Sequence, residues 1–92
     1  MKNYEIPVEL IQKYVERRWV DLKNCRDALA TDDFLFLMKF GHQMKGNAGT
    51  YGFPELGVIA EKIEFFSKEK NKTELNILMD QFLKYLEHIK FD

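Results

Sequence analysis

Apolar residues recur at three- and four-residue steps along most of the chain, the spacing that places side chains on one face of an α-helix. The first stretch of this kind covers residues 7–29, and the second covers residues 31–51. A third begins at about Pro54, and a fourth follows the polar stretch 67–72, which we interpret as a loop. No pair of short alternating runs joined by a hairpin turn is present, so the pattern predicts four helices and no sheet.

Residues typical of helix ends support these boundaries. Pro7 and Pro54 suit the first turn of a helix, where a missing backbone N–H costs nothing. Thr31 is a favourable N-cap for the second helix, and Gly52 is suited to end it because glycine readily adopts a left-handed backbone. Asn71, followed three residues later by a glutamate, predicts a capping box at the start of the fourth helix.

Each predicted helix carries one apolar stripe that neighbouring helices must cover. In the second helix the stripe consists of Phe34, Leu37, Phe40, Gly41, Met44, Ala48 and Tyr51. Four such helices with connections of ~2–6 residues predict an all-α fold, an antiparallel up-down four-helix bundle with a short N-terminal extension. We expect residues 1–92 to form this single domain.

Composition narrows the classes of function. With 92 residues, 46% of them apolar, and a net charge of −1, the chain is neither a disordered segment nor a strongly basic nucleic-acid-binding domain. It has no run of ~18 apolar residues that would span a membrane, and no signal-peptide core near its start. A domain this small has little room for a deep active-site cavity, which favours a binding or relay module over a self-sufficient enzyme.

The same features predict where and in what form the protein works. A single cysteine, Cys25, fits a reducing cytoplasm. The initiator Met1 and the compact span lead us to expect a free-standing protein. A monomer suffices to bury the four stripes, so we expect a cytoplasmic monomer that binds neither nucleic acid nor a membrane.

The outer face of the second helix has an unusual composition. At roughly 100° per residue, the centre of the apolar stripe lies about 140° from His42, so His42 is expected to point away from the core. The residues within about 60° of it on the helical wheel are Leu35, Met38, Lys39, Lys45, Gly46 and Gly49. Leu35 and Met38 are either contacts for a partner or partly buried against another helix.

Three glycines within the predicted second helix need an explanation, since each costs roughly 1 kcal/mol relative to alanine. Gly41 lies on the inward side, where it would let a neighbouring helix approach. Gly46 and Gly49 instead remove side chains just beyond His42, which would open the space beside the imidazole to a bulky partner. The alternative is that both are neutral surface residues.

His42 offers a nucleophile, because imidazole is largely neutral near physiological pH and one ring nitrogen can attack phosphorus. Lys45 lies one turn further on the same face, and at ~5 Å an ammonium attracts a phosphoryl group by roughly 1–3 kcal/mol. No glycine-rich phosphate loop and no spacing of metal ligands is present. Carboxylates are expected at scattered solvent-facing positions, with no pair converging on His42.

The segment HQMKGNAGTYGF, residues 42–53, resembles the signature of the histidine-containing phosphotransfer (HPt) domain family. In that signature the histidine is followed by a lysine, a glycine and a later glycine at the spacing of Lys45, Gly46 and Gly52. The first helix, the start of the second helix and residues 56–64 also resemble the family. Asn47 departs from it, since serine or alanine is more frequent there.

This resemblance implies that His42 accepts a phosphoryl group from a receiver-domain aspartate or a histidine kinase and passes it to another receiver. Lys45 would be the charge partner of the phosphoryl group, and Gly46 would give the receiver clearance. Leu35, Met38, Lys39 and Gly49 would complete a small, transient docking surface. Mg²⁺ is expected on the partner receiver and no cofactor on this chain, which would be a phosphoryl carrier and not itself a kinase.

Two other interpretations remain open. The chain could be a helical adaptor that binds a receiver or kinase without being phosphorylated, or a structural bundle with an incidental histidine. The second histidine, His88, lies near the end of the fourth helix, where we expect it to act as a surface cap.

Overall fold

The computed structural model describes residues 6–90, and every regular element in that range is an α-helix. Helix α1 spans Val8–Ala30, α2 Phe34–Asn47, α3 Pro54–Lys68 and α4 Lys72–Glu87. The prediction of an all-α, four-helix fold is therefore confirmed. The predicted N-terminal extension falls largely on residues 1–5, which lie outside the described residues.

The helices form a closed ring in chain order, in which α1 contacts α2 and α4 and α3 contacts α2 and α4. The contacts pair the start of one helix with the end of its neighbour. Tyr14 of α1 contacts Asn47 at the end of α2, while Lys72 at the start of α4 lies 2.7 Å from Asp32, just after α1. In each of these two pairs the helices are therefore antiparallel.

The core consists of the apolar stripes of the four helices. The predicted stripe of the second helix is confirmed, with Leu37, Met44 and Ala48 almost completely buried and Phe34, Phe40 and Tyr51 partly buried against them. The other fully buried large side chains are Phe82, Leu56, Ile63, Leu75, Met79, Cys25 and Ser67. Apolar burial of this extent holds the helices together, since most of the stability of a helix in a folded protein comes from tertiary packing of its apolar face.

Helices α2 and α3 pack closely because of Gly41. A Cβ atom at this position would lie 2.6 Å from the carbonyl oxygen of Ala60 and 2.7 Å from the backbone nitrogen of Glu64. No real Cβ tolerates such distances to backbone atoms, so only glycine fits, and the prediction that Gly41 lets a neighbouring helix approach is confirmed. The close packing brings the residue next to Gly41, which is His42, near α3.

The predicted N-cap of the second helix is wrong by two residues. Asp33, not Thr31, is the N-cap, and its carboxylate accepts a hydrogen bond from the Phe36 N–H at 3.1 Å. Thr31 instead caps the end of α1. The chain reverses at Asp32, whose φ of 58° is left-handed, and the Asp33 N–H then donates to the Ala28 carbonyl at 2.8 Å.

The second helix also ends earlier than predicted, at Asn47 rather than Tyr51. Residues 48–52 form turns, and the Thr50 N–H donates to the Asn47 carbonyl at 3.1 Å, a tighter i→i+3 pattern. Gly52 has the predicted left-handed backbone, with φ of 90°, and directs the chain into α3. Gly49 therefore lies outside the helix, and the helix-propensity argument does not apply to it.

The predicted loop at residues 67–72 is also wrong, since only residues 69–71 connect α3 to α4. Ser67 belongs to α3 and is buried, because its hydroxyl donates to the Ile63 carbonyl at 2.6 Å and so needs no water. Asn71 is the N-cap of α4 as predicted, and its side chain accepts the Glu74 N–H at 3.1 Å.

Candidate functional site

His42 lies on the outer face of α2, and its side chain is 69% exposed, as the helical wheel predicts. Its imidazole borders an open recess of about 320 Å³ between α2 and α3. The recess is lined by Met38, Lys39, His42, Gln43, Glu64 and Lys68. A small anionic group or the tip of a partner side chain therefore has room beside the ring.

The carboxylate of Glu64, on α3, lies at the centre of the site. Its Oε2 atom is 3.1 Å from Nδ1 of His42, and its Oε1 atom is 2.9 Å from Nζ of Lys45. Lys68 approaches Oε2 at 3.6 Å. The Glu64 side chain is only 12% exposed, so three surface side chains surround a carboxylate that is itself mostly covered.

This arrangement determines the ionisation of the site. The hydrogen bond from Lys45 holds the pKa of the Glu64 carboxyl below its usual 4.5, against the opposing effect of burial, and the His42 hydrogen bond acts in the same direction. The same carboxylate raises the pKa of Lys45, chiefly by accepting its hydrogen bond. Glu64 is therefore ionised at neutral pH.

An ionised carboxylate can only accept hydrogen bonds, so Nδ1 of His42 must carry the proton. In the neutral ring the lone pair then belongs to Nε2, on the side of the imidazole away from Glu64. The site thus presents an oriented nitrogen nucleophile to solvent.

The other predicted site residues divide into two groups. Met38 and Lys39 line the recess with His42, while Lys45 lies beside it and is bonded to Glu64. Leu35 is 57% exposed and does not line the recess, so it is not buried against another helix. Met38 is partly buried, so it fits both a contact for a partner and partial burial against another helix.

Within residues 6–90, the two outer glycines have no packing role. A Cβ atom at Gly46 or at Gly49 would meet nothing within 4 Å, and neither residue has a left-handed backbone. This is the opposite of Gly41, on the inner side of α2, where a Cβ would collide with the α3 backbone. Gly46 belongs to the last turn of α2, so there the absence of a side chain leaves a clear surface close to Lys45.

Comparison with known families identifies the fold and its class of function. The family model of the Hpt domain matches residues 9–90. This chain belongs to the Hpt domain family. Membership implies phosphotransfer in two-component signalling, in which Hpt domains interact with receiver domains and histidine kinases. Searches of curated proteins and of solved structures return no match.

Sequence reasoning missed two charged residues of the Hpt site, Glu64 and Lys68, both on α3. The sequence predicts carboxylates at scattered solvent-facing positions and no pair converging on His42. Glu64 lies on the next helix and is mostly covered. A signal was present, because Glu64 follows Ala60 by four residues and so falls on the buried face of α3. A carboxylate on a buried face needs partners, and His42 and Lys45 provide them.

The second histidine of the Hpt domain, His88, has a structural role. His88 is the C-cap of α4, and its Nδ1 donates to the Lys84 carbonyl at 2.6 Å, which confirms the predicted surface cap. Within residues 6–90, no group of three or more histidine, cysteine or acidic side chains could hold a metal ion. No helix in that range is long and apolar enough to cross a membrane.

Proposed function

We propose that this Hpt domain is a relay intermediate that accepts a phosphoryl group on Nε2 of His42 and passes it to a receiver domain. The donor is a phospho-aspartate on another receiver or a histidine kinase. One observation carries the proposal: the exposed His42, which lines an open recess, is bonded through Nδ1 to an ionised, mostly covered carboxylate, and this leaves Nε2 free.

The transfer step follows from this geometry. The Nε2 lone pair attacks phosphorus, so an N–P bond forms while the bond from phosphorus to the aspartate oxygen breaks and the aspartate leaves as a carboxylate. The Nδ1 proton stays on the ring, and the negative charge of Glu64 offsets the positive charge that the phosphorylated imidazole then carries. Transfer in the reverse direction uses the same contacts.

Most of the remaining catalytic groups belong to the partner in this proposal. Phosphoryl transfer depends mainly on positioning and charge neutralisation, and this chain supplies the nucleophile with Lys45 as a charge partner. Mg²⁺ is held by the receiver domain. The chain is thus a phosphoryl carrier without kinase machinery of its own.

Docking of the partner explains Gly46, for which the fold of this chain gives no reason. A Cβ atom there would point into open space next to the site, with no packed neighbour within 4 Å among the described residues. We assign Gly46 and Gly49 to clearance, and Leu35, Met38 and Lys39 to contacts with the receiver. We place the protein in the cytoplasm as a monomer, in line with the free, fully buried thiol of Cys25.

The decisive experiment is incubation with a phosphorylated receiver domain and Mg²⁺. We expect an acid-labile, base-stable label on the wild-type chain that is absent from His42→Gln and retained in His88→Gln. Label retained in His42→Gln would refute the assignment of the acceptor, and binding without any label would favour the adaptor function.

A second variant tests the docking surface. Gly46→Gln should block transfer from the receiver while leaving the helical content unchanged. Phosphoramidate, a small phosphoryl donor that needs no docking, should still phosphorylate His42 in this variant. Unchanged transfer from the receiver to Gly46→Gln would contradict the clearance argument.

A further inference from the structure

The three groups bound to Glu64 are not held equally. Lys45 has Oε1 to itself at 2.9 Å. Lys68 approaches Oε2 at 3.6 Å, and that oxygen is already 3.1 Å from Nδ1 of His42. Lys68 is also 57% exposed, against 39% for Lys45. Of the two lysines on this carboxylate, Lys68 is therefore the one that is more easily released.

Lys68 also lies on the side of the imidazole where there is space. The recess beside His42 is lined by Lys68 and Lys39, whereas Lys45 is not among its lining residues. An anion that occupies this recess meets the ammonium group of Lys68 without any rearrangement of the backbone. Lys45, although it belongs to the sequence motif, lies outside the recess.

We propose that Lys68 is a second phosphoryl-binding cation, which moves from Glu64 to the phosphoryl group once His42 is phosphorylated. This inference rests on the proposed function. The phosphoryl group brings a charge near −2 and three acceptor oxygens. Glu64 offers a single negative charge that Lys45 and His42 already share.

The exchange costs little, because the mostly exposed Lys68 lies 3.6 Å from Glu64, four residues earlier on the same helix, and ion pairs at this spacing contribute only a few tenths of a kcal/mol. It links α3 to the phosphoryl group on α2 through a residue 26 positions beyond His42, outside the sequence motif that predicts the acceptor. The charged groups around the ring are then Lys39 and Lys45 from α2 and Glu64 and Lys68 from α3.

The test is a ³¹P NMR titration of the full chain after phosphorylation with phosphoramidate. A cation bound to the phosphoryl group stabilises its fully ionised form, so the titration midpoint is lower when Lys68 is present. We expect Lys68→Gln to raise the midpoint by about 0.3–0.7 pH units, a two- to fivefold change in proton affinity typical of one exposed ion pair.

Two control variants separate a direct contact from a general change in charge. Lys68→Arg should restore the wild-type midpoint. Lys62→Gln removes the same charge from an exposed position of α3 that does not line the recess, so it should leave the midpoint unchanged. A midpoint that is the same in wild type and Lys68→Gln, or that shifts equally in Lys62→Gln, would overturn the role of Lys68.

The outcome also distinguishes this inference from the proposed function. A wild-type chain that acquires no phosphohistidine signal from phosphoramidate or from a phosphorylated receiver would overturn both. A clear signal that disappears in His42→Gln, combined with an unchanged midpoint in Lys68→Gln, would overturn only the assignment of Lys68.

Discussion

The two sides of helix α2 are built in opposite ways. Towards α1, the Tyr14 hydroxyl donates to the side chain of Asn47, the last residue of α2, at 2.7 Å, and the Tyr14 ring stacks on Tyr51 of the following turn with centroids 4.2 Å apart. Towards α3, His42 and Glu64 form a polar pair whose imidazole is mostly in solvent. On the side towards α1, the polar groups join two helices and are largely covered. On the side towards α3, Glu64 holds the imidazole of His42 in place and leaves it accessible to solvent.

This difference shows how a small helical bundle combines stability with an accessible reactive site. Stability comes from buried, paired groups, and the reactive nitrogen needs exposure to a partner. Placing the two on different sides of one helix lets the Tyr14 contacts fix the position of α2 while His42 remains uncovered. Substitutions on the two sides should therefore have separable effects on folding and on phosphotransfer.

The largest expected effect comes from the side towards α1. Tyr14→Ala removes a buried aromatic ring stacked on Tyr51 and close to Phe53, and should destabilise the protein by about 3–5 kcal/mol, as is usual for truncating a buried aromatic side chain. His42→Ala, at an exposed position, should change stability by no more than about 0.5 kcal/mol. Urea unfolding followed by circular dichroism measures both.

Tyr14→Phe is the matched control, since it keeps the stacking and loses only the hydroxyl, whose contacts with the Asn47 side chain and the Met44 sulfur are worth about 1 kcal/mol. Comparable destabilisation by His42→Ala and Tyr14→Ala would show that the two sides of α2 do not differ in their contribution to folding.

The second prediction concerns the contact between α2 and α3. Gly41→Ala should cost about 1–3 kcal/mol, because the new methyl group would collide with the Ala60 carbonyl and the Glu64 backbone, which are not free to move as a side chain would be. Thermal and urea unfolding measure the loss. A variant as stable as wild type would mean that α3 can shift away from α2 without penalty.

The sequence was sufficient for the helices but not for their ends. A repeat of 3.6 residues is a property of the whole stretch, so it predicts four helices reliably. An end depends on the conformation of one residue. Asp32 and Lys70 adopt left-handed φ values of 58° and 55° although neither is a glycine, so the residue type alone does not predict these helix ends.

The same distinction applies to the site. His42, Lys45 and Gly46 lie on one helix, where spacing alone predicts that they are neighbours. Glu64 and Lys68 join them only because α2 and α3 pack closely and in one rotational setting. That contact depends on tertiary packing, which the helical period of either segment does not specify.

The third prediction is a change in stability opposite in sign to that of Gly41→Ala. Gly46→Ala should stabilise the protein by about 0.5–1 kcal/mol, since alanine is the better helix former and its Cβ would have no packed neighbour within 4 Å among residues 6–90. The same pair of unfolding curves measures it. Destabilisation by Gly46→Ala would show that Gly46, like Gly41, has a structural role within the domain.

The smallest effect is expected at the polar pair itself, because solvent screens charges near the surface. The pKa of Glu64 is lowered in the folded protein by its hydrogen bonds from Lys45 and His42, so this carboxylate stabilises the fold when ionised. That contribution is complete above the unfolded-state pKa of about 4.5 and is lost as the pH falls through the lower folded-state value. The pKa of Lys45 is raised from 10.5, so Lys45 stays charged throughout this range.

The measurement is the difference in free energy of unfolding between wild type and Glu64→Gln from pH 7 to pH 3. We expect wild type to be the more stable at pH 7 and its advantage to shrink on acidification. Glu16→Gln, which removes an exposed carboxylate from α1, corrects for the change in net charge. An advantage that is constant over this range would mean that the charge of Glu64 does not contribute to folding, and one that grows towards pH 3 would mean that folding raises the pKa of Glu64 instead of lowering it.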